Sequence, residues 1–148
     1  MRHQLHTDIE IAAPADEVWT VLTDLARYPD WNPFLVSSEG VVEVGQRLTN
    51  RMQPPGGKAM TFRPRVTEVE AGRVFEWLGR LGIPGVFDGR HRFELEATPT
   101  GTHFIHTEAF YGVLVRLMRR SLDTKTLPGF EAMNSALKAR VEARSATA

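Results

Sequence analysis

The 148-residue chain contains no cysteine. Disulfides, thiolate nucleophiles and thiolate metal ligands are therefore excluded, and a zinc site would need histidine and carboxylate alone. Neither charge is in excess: Lys+Arg and Asp+Glu both number 18, for a formal net charge of zero. That balance argues against an electrostatic grip on nucleic acid or an anionic membrane. Long apolar runs are missing too. The longest, around Phe110 to Met118, is too short to cross a bilayer and contains Arg116. The opening MRHQLHTDIE lacks the apolar centre of a signal peptide. Glycine-rich pieces occur, PPGG at 54–57 and LGIPGVFDG at 81–89, but neither carries a phosphate-loop or dinucleotide pattern. No HExxH spacing exists. These absences lead us to expect a cytoplasmic protein without cofactor, metal, nucleic-acid partner or integral membrane segment.

What is present is ordinary globular composition, 42% hydrophobic and 24% charged. A chain of this length fits one domain, residues 1–148, and can bury roughly two-thirds of its unfolded surface. Leu5, Thr7, Ile9 and Ile11 alternate with His6, Asp8 and Glu10, the mark of a half-buried strand. AAPADEVWTVLTDL follows. Pro14, Asp16 and Glu17 suit a helix start, and Val18, Leu22 and Leu25 form one apolar stripe.

Then comes YPDWNPF, Tyr28 to Phe34, with three aromatic rings and two prolines in seven residues. Pro29 and Pro33 are expected to push Tyr28 and Asn32 from helical angles, leaving room for one short helical turn. From Leu35 to Tyr111, short pieces rich in Val, Phe and Thr are separated by Gly40, Gly45, the 54–57 loop, Gly72, the Gly82–Gly89 region and Gly101. His91, Phe93 and Leu95 share one face of a strand, opposite Arg92, Glu94 and Glu96. Phe104, His106, Glu108 and Phe110 share a face of the next. From about Val113 to Ala143 the period becomes helical. Leu114, Met118, Leu122, Phe130, Met133, Leu137 and Val141 fall on a stripe when Thr126 fills its gap, with a kink or break expected at Pro128-Gly129. Consecutive short strands favour an antiparallel sheet, and the long helix is the obvious cover for its apolar face.

IAAPADEVWTVLTDLARYPDWNPF (Ile11 to Phe34) resembles the opening of the SRPBCC superfamily, which includes START-type and birch-pollen-allergen-like proteins. His91 to Ala143 resembles its single-domain, polyketide cyclase/dehydrase-like bacterial branch. The resemblance implies an α+β helix-grip fold: a seven-stranded curved antiparallel sheet wrapped around a long C-terminal helix, with two short helices after strand one. It also implies a large apolar cavity between sheet and helix, with YPDWNPF as the second short helix and its exit.

His91, His106 and Glu108 form the one polar cluster with chemistry in it. In the family register all three point to the cavity. Burial is expected to move a His and a carboxylate towards neutrality, where they serve as base and acid. The competing reading is structural, with the three groups merely satisfying one another's buried polarity. Trp31, Phe34, Met52, Phe62, Trp77, Phe87, Phe93, Phe110, Met118, Leu122, Phe130 and Met133 complete the expected lining, with His91, His106 and Glu108. Aromatics supply burial, and methionines adapt to irregular shapes. His3 and His6 are expected to be solvated, as are Arg63 and Arg65. Glu68, Glu70, Arg92, Glu94 and Glu96 are expected to pair on the outer sheet face. Leu81, Ile83, Val86 and Phe87 make an apolar loop that gates the cavity, meets a partner or folds over the core.

Three functions fit. The first is enclosure of a small hydrophobic ligand: a lipid, polyketide-like or isoprenoid molecule. The second is a cyclase, aromatase or dehydratase using His91, His106 or Glu108 as acid and base. The third is a protein-interaction or chaperone-regulating domain, which requires a filled core. A monomer or weak homodimer is expected.

Overall fold

A computed structural model describes residues 2–147. Strand β1 (Arg2–Ile11) runs into helix α1 (Ala15–Thr23), a 3-10 turn (Leu25–Arg27) and the short helix α2 (Tyr28–Trp31). Seven strands follow: β2 (Leu35–Glu39), β3 (Thr49–Met52), β4 (Met60–Phe62), β5 (Arg65–Glu70), β6 (Val74–Arg80), β7 (Asp88–Thr98) and β8 (Gly101–Tyr111). The tail is helical throughout: α3 (Val115–Ser121), a π turn (Leu122–Thr126) and α4 (Leu127–Thr147).

The expected single seven-stranded sheet is corrected to eight strands in two antiparallel sheets, ordered β1-β8-β7-β6-β5 and β2-β3-β4. The cause is local. Pro64 has no N–H and separates β4 from β5. The carbonyl of Pro64 still accepts from Leu48 N–H, and an isolated bridge joins Arg47 to Arg65. The two sheets thus meet along one interrupted seam.

The irregularity in the tail lies before Pro128, at the π turn, rather than at Pro128-Gly129. Leu127 N–H bonds to the Leu122 carbonyl, a π-type step one residue wider than an α turn. Such bulges relieve a backbone that cannot keep every α-helical bond, as a nearby proline requires. Gly129 has its own cause. A methyl group there would collide with the Phe34 ring, which packs edge-on against Phe130 at 5.4 Å. Phe34 is thus sunk against α4 by the absence of a side chain. Leu122, Thr126, Phe130, Met133, Leu137 and Val141 are buried as one stripe, while Val115 replaces Leu114 and Met118 as the buried residue of α3.

YPDWNPF departs from expectation at one residue. Tyr28 has helical angles, φ −53° and ψ −38°. A proline in the first turn removes an N–H that has no helical partner, so α2 tolerates Pro29. The Tyr28 hydroxyl donates to the Leu22 carbonyl in the core. Asn32 is extended, and its side-chain oxygen accepts from both Phe34 N–H and Leu35 N–H, turning the chain into β2. The rings therefore anchor a sharp exit under the long helix. Burying each such ring contributes ~1.5–3 kcal/mol before entropy is counted. His3 is not solvated as expected. Its Nε2 lies 2.7 Å from Asp123, tying β1 to the π turn.

Candidate functional site

Antiparallel register stacks inward side chains into rows across β6, β7, β8 and β1. Trp77, His91, Glu108 and Leu5 form one row; Phe75, Phe93, His106 and Thr7 form the next. Beside the first lies Gly79, Gly89, Phe110 and His3. Two adjacent glycines leave that part of the sheet bare. A methyl on Gly89 would collide with Glu108 Oε2, so the carboxyl leans into space that only glycine leaves. Gly89 had read as part of a turn; it lies inside β7 because the hairpin loop is shorter than the run of turn residues.

Over this bare patch sits a cavity of about 220 Å³. Of the expected lining, the structure brings Phe34, Met52, Phe62, Trp77, Phe87, His91, Glu108, Phe110, Met118 and Leu122 to its wall. Leu35, Pro54, Met60, Leu81, Ser121 and Thr126 also line it, with Arg80 and Lys125 among the polar groups. Of these, Thr126 fills the gap in the helical stripe and Leu81 belongs to the apolar loop; periodicity gives no signal for the rest, which sit at strand ends, in loops and around the π turn. Trp31, Phe93, His106, Phe130 and Met133 do not line it. Trp31 packs edge-on against Tyr28, and the other four are fully buried in the core behind the cavity. Leu81 and Ile83 at the loop tip are 52% and 70% exposed, so the tip does not fold over the core.

The three polar candidates do meet. His91 Nδ1 lies 3.2 Å from Glu108 Oε1, and His91 Nε2 lies 2.7 Å from His106 Nε2. The line continues into residues that the sequence did not single out. His106 Nδ1 is 2.8 Å from Asn134 Oδ1, Asn134 Nδ2 donates to Thr7 Oγ1, and Thr7 donates to the His106 carbonyl. Rings hold the imidazoles in place: Trp77 stacks on His91 at 4.7 Å, and Phe130 on His106 at 4.1 Å.

Among the described residues, no cation is hydrogen-bonded to these groups. Burial alone pushes the Glu108 carboxyl up to about 8 and the His91 imidazole down to about 3. Burial also pushes His106 well below its usual range, reinforced by His91 and opposed by the Asn134 hydrogen bond. The expectation that burial moves both residue types towards neutrality holds for the carboxyl alone. Burial disfavours the charged form of each, and for histidine that is the acid form. Near neutral pH the cluster is uncharged. Among the described residues, no group of three or more His, Asp or Glu is placed to hold a metal ion, and no helix is long and apolar enough to cross a membrane.

An antiparallel sheet closed by a long C-terminal helix over an apolar cavity defines a helix-grip protein. Residues 2–142 match the family described as polyketide cyclase / dehydrase and lipid transport, and the chain belongs to that family. Solved structures share the fold. The Zhui aromatase/cyclase from Streptomyces sp. R1128 superposes with a TM-score of 0.80 at 20% identity, covering 98% of this chain and 96% of that one. A Thalictrum norcoclaurine synthase gives 0.75 at 17% identity, covering 98% and 97%. The di-domain ARO/CYC StfQ of the steffimycin biosynthetic pathway gives 0.79 at 15% identity; 99% of this chain aligns with 53% of that one. No curated protein matches the sequence.

Proposed function

We propose that this chain encloses a small, ring-bearing apolar molecule of polyketide-like or isoprenoid type between sheet and helix. The supporting observation is the cavity of about 220 Å³, walled mainly by apolar side chains with Glu108 and His91 at one face. It is smaller than the roughly 300–1,000 Å³ typical of drug-sized sites. One or two fused rings suit it better than a long-chain lipid. Affinity comes from apolar burial at ~25 cal/mol per Å², less the cost of association.

A second reading, acid–base catalysis of ring closure, aromatisation or dehydration, draws on one observation. Glu108 is a carboxylic acid kept protonated up to about pH 8 in an apolar wall, beside a neutral imidazole. Such a group gives or takes a proton near neutral pH. Glu108 and His91 are the candidates that reach the cavity; His106 stands behind them. An interaction or chaperone-regulating role needs a filled core, and the cavity weighs against it.

Native mass spectrometry of the purified protein, with solvent extraction and identification of anything bound, tests the first reading. A co-purifying ring-bearing lipophile is the expected result. A protein that carries nothing and takes up no apolar fluorophore overturns it. Glu108→Gln then separates the two readings. Lost turnover with retained binding marks an enzyme; absence of turnover by the native protein marks a carrier.

A further inference from the structure

The hydrogen-bond line from β1 to the cavity has a direction, and the direction starts at a group with no choice. The His106 backbone carbonyl can only accept. It takes the Thr7 hydroxyl proton, so Thr7 Oγ1 is left to accept from Asn134 Nδ2. That orients the amide and places Asn134 Oδ1, an acceptor, against His106 Nδ1. His106 therefore carries its proton on Nδ1 and presents a bare Nε2. His91 must donate to it from its own Nε2, 2.7 Å away. In neutral His91 the remaining nitrogen, Nδ1, is then bare and accepts from Glu108 Oε1. Should that one proton cross to Nδ1, His91 becomes the donor and Glu108 a carboxylate. In both states Glu108 Oε2, the oxygen over Gly89, carries no proton and faces the cavity as an acceptor.

Resting on the proposed enclosure of a ring-bearing ligand, we infer that the cavity selects molecules with a hydroxyl donor of phenol or enol type, received by Glu108 Oε2, and that Asn134 is the positioning residue that sets this polarity from the far side of the core. Asn134 touches no part of the cavity wall; it is 2% exposed and lies on α4. It acts through two imidazoles, each with an aromatic ring stacked on it. Without it, His106 is free to carry its proton on Nε2. His91 would then have to turn its bare Nε2 to His106 and its Nδ1–H to Glu108. The acid would then have its proton free to direct at the ligand, and the preference for a donor would be lost.

The test uses the full chain with two probes, β-naphthol and its methyl ether. They share the naphthalene ring and differ by one methyl on the oxygen, and only the first has a donor. β-Naphthol is expected to bind roughly 10-fold tighter, the worth of one hydrogen bond in a buried site. Glu108→Gln is expected to keep that preference, because the carboxamide donates N–H to His91 Nδ1 and still shows its oxygen to the ligand. Glu108→Leu is expected to abolish it. Asn134→Asp, which retains the acceptor for His106, is expected to preserve the preference, and Asn134→Leu to lose it. Nitrogen-15 NMR of the imidazoles reads the same polarity without ligand. His106 protonated on Nδ1 and His91 on Nε2 supports it, and the opposite tautomers overturn it. Equal binding of both probes leaves the cavity standing and overturns the donor class. Binding of neither, confirmed by competition with an apolar fluorophore, withdraws the enclosure reading and this inference with it.

Discussion

The two faces of the same sheet treat charge in opposite ways. On the outer face, Arg92 reaches Glu68, Glu76 and Glu94, while Arg90 and Thr67 also bond Glu76. On the inner face, one residue away along each strand, Glu108 meets only a neutral imidazole. Glu76 is itself nearly buried, at 6% exposure. Burial would raise its carboxyl, but hydrogen bonds from Arg90, Arg92 and Thr67 outweigh that and hold it below its usual range. For Glu108 nothing outweighs burial. One sheet thus carries a permanent anion on its outer face and a neutral acid on its inner face. Partners decide which, not depth alone.

The sharpest way to break this comparison is His106→Ala. It removes a buried, stacked ring and orphans both His91 and Asn134, so a loss of about 3–5 kcal/mol is expected in urea unfolding. A loss below ~1 kcal/mol would make the inner line ornamental. Next is the pH dependence of Glu108→Gln. The folded carboxyl is raised from 4.5 to about 8, so its contribution is full below the unfolded value and is lost as pH rises towards 8. The native protein should lose ~1.4 kcal/mol per pH unit relative to the variant across that window. His91 and His106 weaken both proteins equally in acid, so the difference isolates Glu108. Glu76→Gln should give the opposite sign. Its carboxyl is held low, so the native advantage is present above 4.5 and fades as pH falls below it. Unfolding curves of native and variant protein that stay parallel in acid would remove the contrast. The smallest effect is expected from Arg92→Ala. Glu76 keeps Arg90 and Thr67, and the other partners are half-exposed, so the cost should be below ~1 kcal/mol and shrink in salt.

Much of this contrast was legible in the chain. The two-residue period of HRFELE separates His91 from Arg92, and that of Thr102 to Tyr111 sets His106 and Glu108 on one face. Arg92 pairs across strands with Glu68 as expected, but Glu94 meets Arg92 along its own strand, Glu70 turns to Arg73 and Glu96 to His103. The centre of the outer cluster, Glu76, lies in VFEWLGR, where flanking aromatics mask its outward position. Asn134 and Thr7 could not be paired by inspection, because 127 residues separate them. Nor could Gly79 and Gly89 be recognised as a cavity floor. Gly89 reads as a turn signal and Gly79 carries no signal of its own until register sets them side by side.

By itself, the sequence determined which side of each strand and helix is apolar, where the chain must turn, and that no thiol takes part in its chemistry. Those properties follow from backbone period and side-chain type, which act over a few residues. Only the tertiary structure decided which polar groups meet, which way their protons point, and that Glu108 remains an acid. Hydrogen-bond polarity passes through contacts distant in sequence, and a pKa depends on what surrounds a group once packing has removed the water.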